Sequence, residues 1–290
     1  MKKKISILIL IAITMSIFTA CNGGSNAGFD LKKEISVVSR EDGSGTRGAF
    51  IELFSVEQRN DDGTRTDKTT KEAIIAKQTD VMMTNIANDK YAIGYISLGS
   101  LNDTVKAVKI DGVTPSSENV KNGTYQVSRP FNIATKTDLS ETAQDFIDFI
   151  LSAEGQNVIA SSYIAIDEGA SGYSGAKPSG KIVVSGSSSV APIMEKLKEA
   201  YLAVNTNATI EIQQSDSSAG ISDALSGISD IGMASRELKD SELEQLISTQ
   251  IALDGIAVII NKDNTTDDLT KDQVKAIFTG EILAWSDTGK

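Results

Sequence analysis

The sequence predicts an α/β protein with largely parallel strand pairing. Two observations carry that expectation. Short β-rich runs recur along the chain, and the segments between them place apolar residues at helical spacing. The candidate strands are Ile35–Ser39, Ala92–Leu98, Phe131–Ala134, Ile182–Ser185, Thr209–Gln213 and Ile256–Ile260. After the first of them, Ala49, Phe50 and Leu53 fall on one helical face. In Thr142–Leu151 the stripe is Ala143, Phe146, Ile147, Ile150 and Leu151. In Val190–Tyr201 it is Val190, Ile193, Met194, Leu197 and Tyr201. Thr270 with Gln273 has capping-box spacing and opens a helix through Val274, Ile277 and Phe278. The Gly/Ser-rich stretch Gly169–Gly180 reads as a surface connection between two blocks of this kind.

Composition narrows the chemistry. The 290 residues carry a net charge of −11, no histidine and one cysteine. Without histidine there is no Ser-His-Asp or Cys-His catalysis and no His-ligated zinc. A single thiol provides neither an internal disulfide nor a Cys-cluster metal site. The acidic balance argues against a nucleic-acid partner, which would require a concentrated basic face. No GxxxxGK[ST] loop or GxSxG elbow occurs. Gly43-Ser-Gly45-Thr-Arg-Gly48 fits GxGxxG, but charged residues separate strand from glycine where a dinucleotide turn is tight. No cofactor, metal or catalytic residue is expected.

The first twenty residues read as an export signal. Lys2, Lys3 and Lys4 precede an apolar run from Ile5 to Phe18, too short to span a bilayer. Ala20 then precedes Cys21, which resembles the bacterial lipobox, with Phe18 where leucine is usual. That resemblance implies a diacylated Cys21 as the first mature residue, followed by a flexible tether over residues 21–33. The alternative is a soluble secreted chain with a free thiol. Removal of residues 1–20 takes away three lysines and leaves a net charge of −14.

Polar residues gather where strands give way to helices. Arg40-Glu-Asp42-Gly-Ser44-Gly45-Thr46 follows the first strand, Ser187-Ser188-Ser189-Val-Ala-Pro192 the fourth, and Asp216-Ser217-Ser218-Ala-Gly220 the fifth. Small residues at a helix start present unpaired N–H groups and the positive end of the dipole. With hydroxyls and a guanidinium added, such a start becomes an anion cradle. Each serine taken alone has another reading as a simple N-cap. A further segment, Asp230–Arg236, ends an apolar run with Ser235 and Arg236.

Together these segments resemble the phosphate-binding proteins of high-affinity phosphate ABC importers. Arg40–Thr46 matches the family's R-x-D-G-S-G-T motif, and Ser187–Pro192, Ser217–Ile221 and Asp230–Ser235 match its other phosphate-contacting segments. The resemblance covers residues 34–290. It implies a periplasmic-binding-protein-like fold, two α/β lobes joined by a two-strand hinge, with a ligand cleft between them. One lobe is expected at 133–254, including the linker 169–180, and the other at 34–129 plus 258–290. The crossings are expected near Arg129–Asn132 and Asp254–Ala257.

The order of segments is reversed relative to the common family order, which resembles a circular permutation of the kind found in some Gram-positive lipoproteins. The alternative is a truncated tandem protein. In the receptor so implied, Arg40 supplies the one full positive charge. Ser44, Thr46, Ser188, Ser217 and Ser235 supply hydroxyls, and Gly45, Thr46 and Ser189 supply N–H groups. Asp42 is expected behind them, orienting Arg40; its other reading is a turn residue. Many family members carry aspartate at the position of Ser235. The expected partners are inorganic phosphate and the permease and ATPase of an importer; the alternatives are a receptor for sulfate, molybdate or tungstate, or a surface adhesin or signalling lipoprotein. The receptor is expected as a lipid-anchored monomer on the extracytoplasmic face of the cell membrane.

Overall fold

The computed structural model describes residues 28–60 and 65–289. The signal segment and Cys21 lie outside them. The first half contains β1 (Ser36–Arg40), α1 (Gly45–Leu53), β2 (Ile74–Ala76), α2 (Thr79–Asn88) and β3 (Ala92–Ser97). Then β4 (Ser128–Thr135) leads into α3 (Glu141–Leu151) and α4 (Ala153–Ala160). Beyond the Gly/Ser stretch come β5 (Gly180–Ser187), α5 (Ala191–Val204), β6 (Ala208–Ser215), α6 (Ser217–Ser226) and β7 (Ile231–Ala234). The long β8 (Ile247–Ile260) and α7 (Lys271–Thr279) follow. Every candidate strand overlaps one of these. The capping box closes both ways: Gln273 N–H donates to Thr270 Oγ1 at 3.1 Å, and Thr270 N–H to Gln273 Oε1 at 2.7 Å.

Among the described residues the main sheet has ten strands, eight of them on the path β6-β5-β7-β4-β8-β3-β1-β2. Pairing is parallel toward each end, where β5 joins β6 and β7 and β1 joins β2 and β3. It is antiparallel in the middle, where β4 joins β7 and β8, and β8 joins β3. The largely parallel expectation therefore fails at the centre. The reason is length: β8 has 14 residues, pairing with β4 from Ile247 to Gly255 and with β3 from Ile256 to Ile260. One strand thus runs through both halves, and its return direction opposes that of β4.

Buried side chains form separate clusters on either side of this crossing. One gathers Phe131, Phe146, Phe149, Ile193, Leu197, Met233 and their neighbours, all between residues 131 and 252. The other gathers Phe50, Tyr95, Val258, Phe278 and Trp285, from residues 37–127 and 256–285. Alternating apolar residues on strands buried against helices give each cluster its material, and burial at roughly 25 cal/mol per Å² drives both. Trp285 lies in the second core, its Nε1–H donating to the Tyr91 carbonyl at 3.1 Å.

The Gly/Ser stretch is largely exposed but not loose. Tyr173 reaches inward from it, and both Tyr173 and Tyr201 donate their hydroxyls to the buried Asp145 carboxylate, at 2.6 and 2.7 Å. Asn205 Nδ2 donates to the Pro178 carbonyl at 3.0 Å. Local composition could not show this, because the partners come from α3 and α5.

Candidate anion-binding site

The site is assembled from helix starts at the ends of parallel strands. At the end of β1, Arg40 N–H donates to the Tyr95 hydroxyl at 3.2 Å, and Phe50 stacks on that ring at 3.8 Å between centroids. The strand end is thereby anchored to the core. Ser44 caps α1, its Oγ accepting from Arg47 N–H at 3.3 Å. The cap leaves Gly45 and Thr46 N–H, in the first turn, without intrahelical acceptors. Asp216 caps α6 through Ala219 N–H at 2.9 Å, which places Ser217 as its first helical residue. The backbones of β5 and α6 approach closely at Gly186 and Gly220. A Cβ on Gly220 would sit 2.4 Å from Gly186 Cα, and Gly186 has φ of +128°, where glycine is favoured.

These starts meet face to face. Arg40 is 1% exposed and donates from Nη2 to Ser188 Oγ at 3.0 Å, from the other half of the chain. The Thr46 and Ser189 hydroxyls lie 2.8 Å apart across the same boundary. Ser218 N–H donates to the Gly43 carbonyl at 3.2 Å. Ser187 Oγ donates to Ser235 Oγ at 2.9 Å, Ser217 Oγ lies 3.3 Å from it, and Ser235 N–H donates to Ser217 Oγ at 3.1 Å. Ser44, Thr46, Ser188, Ser189, Ser217 and Ser235 are all buried. The fold thus brings together Arg40, Gly45, Thr46, Ser188, Ser189, Ser217 and Ser235, whereas the Ser44 hydroxyl is shown only capping its own helix.

Two details differ from the reading of the sequence. Asp42 does not orient Arg40. Its carboxylate is 96% exposed and pairs with Arg47 Nη1 at 2.8 Å. The carboxylate on Arg40 is Glu41, which takes Nη2 and Nε in a fork at 2.6 and 2.7 Å. The turn at Asp42–Gly43 points that side chain outward, while its neighbour points in. Ser189 N–H is not free either, since it donates to Ser187 Oγ at 3.3 Å. Behind these groups lies a second buried cation. Arg129, also buried, donates from Nη1 to the Ser235 carbonyl at 3.0 Å.

Thr79 was not legible as a site residue. It opens α2, and its Oγ1 lies 3.4 Å from Arg40 Nη1, 3.4 Å from Ser188 Oγ and 3.3 Å from Ser189 Oγ. The signal was present in Gln78-Thr79-Asp80, a hydroxyl and an acid before an apolar stripe. Ser187 belongs to the serine run at the end of β5, and only its contact with Ser235 marks it as a site residue. Arg129 carried no local signal, because its carboxylate partner is Asp254.

A family model described as the PBP superfamily domain matches residues 26–154 and 171–290. The chain belongs to the PBP superfamily. Every site residue from Arg40 to Ser235 lies within those PBP-superfamily stretches. Phosphate-binding protein PstS 2 of Streptococcus agalactiae serotype V is 49% identical over 295 residues, covering 99% of this chain and all of that protein. A crystal structure of a phosphate-binding protein of a phosphate ABC transporter from Streptococcus pneumoniae TIGR4 matches with a TM-score of 0.70. It is 42% identical, covering 88% of this chain and 99% of that one. Phosphate-binding protein PstS of Staphylococcus haemolyticus is 42% identical over 110 residues, 35% of each chain.

Proposed function

We propose that this chain is the receptor of a phosphate ABC importer, holding inorganic phosphate between two lobes and releasing it to a membrane permease powered by an ATPase. The observation that carries the reading is the buried Arg40, ringed by hydroxyls of Thr79, Ser188 and Ser189 from both halves of the chain. The near full-length relatives, named for phosphate binding, support the choice of anion. Hydrogen bonds to a charged ligand contribute roughly 1.5–3 kcal/mol each, so several of them support tight binding after ordering costs. The chain is a reversible binder rather than an enzyme, and acts as a monomer.

In this reading the lobes are 34–129 with 258–290, and 133–254, and they close about the crossing of β4 and β8. The ligand is bound by Arg40 and by the hydroxyls of Ser44, Thr46, Thr79, Ser188, Ser217 and Ser235, with Gly45 and Thr46 N–H from the start of α1. The mature charge of −14 opposes long-range attraction of an anion, so recognition is local. The segment order is a circular permutation. The short match to the Staphylococcus haemolyticus protein, 35% of each chain, supports it, because reversing two halves leaves at most one of them alignable in a single run.

Titration of purified residues 22–290 by calorimetry tests the function. One phosphate per chain is expected, with sulfate, molybdate and tungstate weaker. No binding of phosphate, or a preference for another oxyanion, rejects the phosphate reading. The receptor works at the extracytoplasmic face of the membrane, held there by lipid on Cys21. Cys21→Ala is expected to move the protein from the membrane fraction to the medium and to abolish labelling by palmitate. Unchanged membrane retention rejects the anchor.

A further inference from the structure

Two buried charges lie behind the ring of hydroxyls, where β4 and β8 cross. Arg129 and Asp254 face each other in the register of those strands, Nη2 to Oδ2 at 3.3 Å, both almost fully buried. Asp254 is held from the end of β3, where Ser97 Oγ donates to its Oδ1 at 3.0 Å and Gly99 N–H at 3.3 Å. Arg129 reaches the other way, from Nη1 to the Ser235 carbonyl. Its guanidinium carbon lies 5.4 Å from the centre of the Phe131 ring, and its buried Nε–H has no protein acceptor.

The pair therefore bridges the halves of the molecule. On one side stand Ser97 and Gly99, and on the other the backbone of an anion-site residue. From Ser235 the connection continues through its N–H to Ser217 Oγ and through its hydroxyl to Ser187 Oγ. Arg129 is thus linked through Ser235 to the Ser217 and Ser187 hydroxyls. Burial lowers the Arg129 pKa to about 10 and raises that of Asp254 to about 6, each opposed by attraction to the partner. Buried ion pairs add little stability, because desolvation offsets their attraction. Stability is therefore a weak explanation for a charged pair at this place.

We propose that Arg129 and Asp254 are positioning residues for anion capture, tying the crossing of β4 and β8 to the Ser235 backbone so that closure of the halves sets the Ser187, Ser217 and Ser235 hydroxyls. The proposal rests on the phosphate-receptor reading.

The test compares wild type, Arg129→Met, Asp254→Asn and the double variant, by phosphate calorimetry and by melting without phosphate. Each single variant is expected to melt lower, because one buried charge loses its partner. The double variant is expected to recover a melting temperature near that of wild type, yet to bind phosphate at least tenfold more weakly. A merely structural pair would recover both, so wild-type affinity in the folded double variant overturns the proposal. Should the double variant fail to fold, Asp254→Asn decides, with affinity within twofold of wild type counting against it. A wild-type protein that binds no phosphate overturns the receptor reading itself, whereas variants that match a phosphate-binding wild type overturn only the coupling.

Discussion

Arg40→Ala is expected to weaken phosphate binding by about two to four decades in Kd. Arg40 donates to Ser188 Oγ across the cleft and lies beside Thr79 Oγ1, so its guanidinium stands at the centre of the converging hydroxyls. Loss of two charge-assisted hydrogen bonds costs roughly 3–6 kcal/mol, which is that range in Kd. The substitution does a second thing. The Glu41 carboxylate, now forked by Arg40, would face the bound anion without its counter-charge. Repulsion places the result toward the upper end of the range. Glu41 retains some solvent exposure, so the ligand-free fold tolerates the change. Calorimetry with phosphate, alongside circular dichroism, makes the check. Affinity within tenfold of wild type would remove Arg40 from the site.

Gly45→Ala is expected to separate binding from folding. A Cβ at Gly45 would lie 2.4 Å from Ser217 Oγ, 2.8 Å from Ser235 Oγ and 3.1 Å from the Ser235 carbonyl carbon. The Ser217 hydroxyl can rotate away only by giving up its bond from Ser235 N–H, and the Ser235 backbone cannot rotate at all. The added methyl group therefore opposes the approach of α1 to Ser217 and Ser235. Gly45 is the first residue of α1, where alanine favours the helix. Melting without phosphate is expected at or slightly above the wild-type temperature, while phosphate affinity falls at least ~100-fold, about 2.7 kcal/mol. Small-angle scattering is expected to show no compaction on adding phosphate. It is a better probe than the fluorescence of Trp285, which is buried in one core. A variant that binds and compacts like wild type would place Gly45 away from the closing surface.

Much of both folding and site was local in origin and so readable from the chain. The strand at Ile182–Ser185, the stripe of α5 and the Thr270–Gln273 box each depend on residues within a few positions of one another. The same holds for the anion chemistry at Arg40–Thr46, since a helix start presents its N–H groups whatever surrounds it. What failed in the reading was direction. Asp42 and Glu41 are adjacent and both acidic, and only the path of the turn decides which one meets Arg40.

The sequence by itself determined an α/β chain with hydroxyl-rich helix starts, one cysteine at the end of an apolar run, and no histidine for chemistry. Periodicity, capping and composition are properties of neighbours, and neighbours are written in order. Only the tertiary structure decided that Arg40 meets Ser188, that Thr79 joins the ring, and that the central pairing is antiparallel. It alone brought Arg129 to Asp254, which stand 125 positions apart. Contacts of that range are set by the register of β4 on β8, which no local pattern encodes.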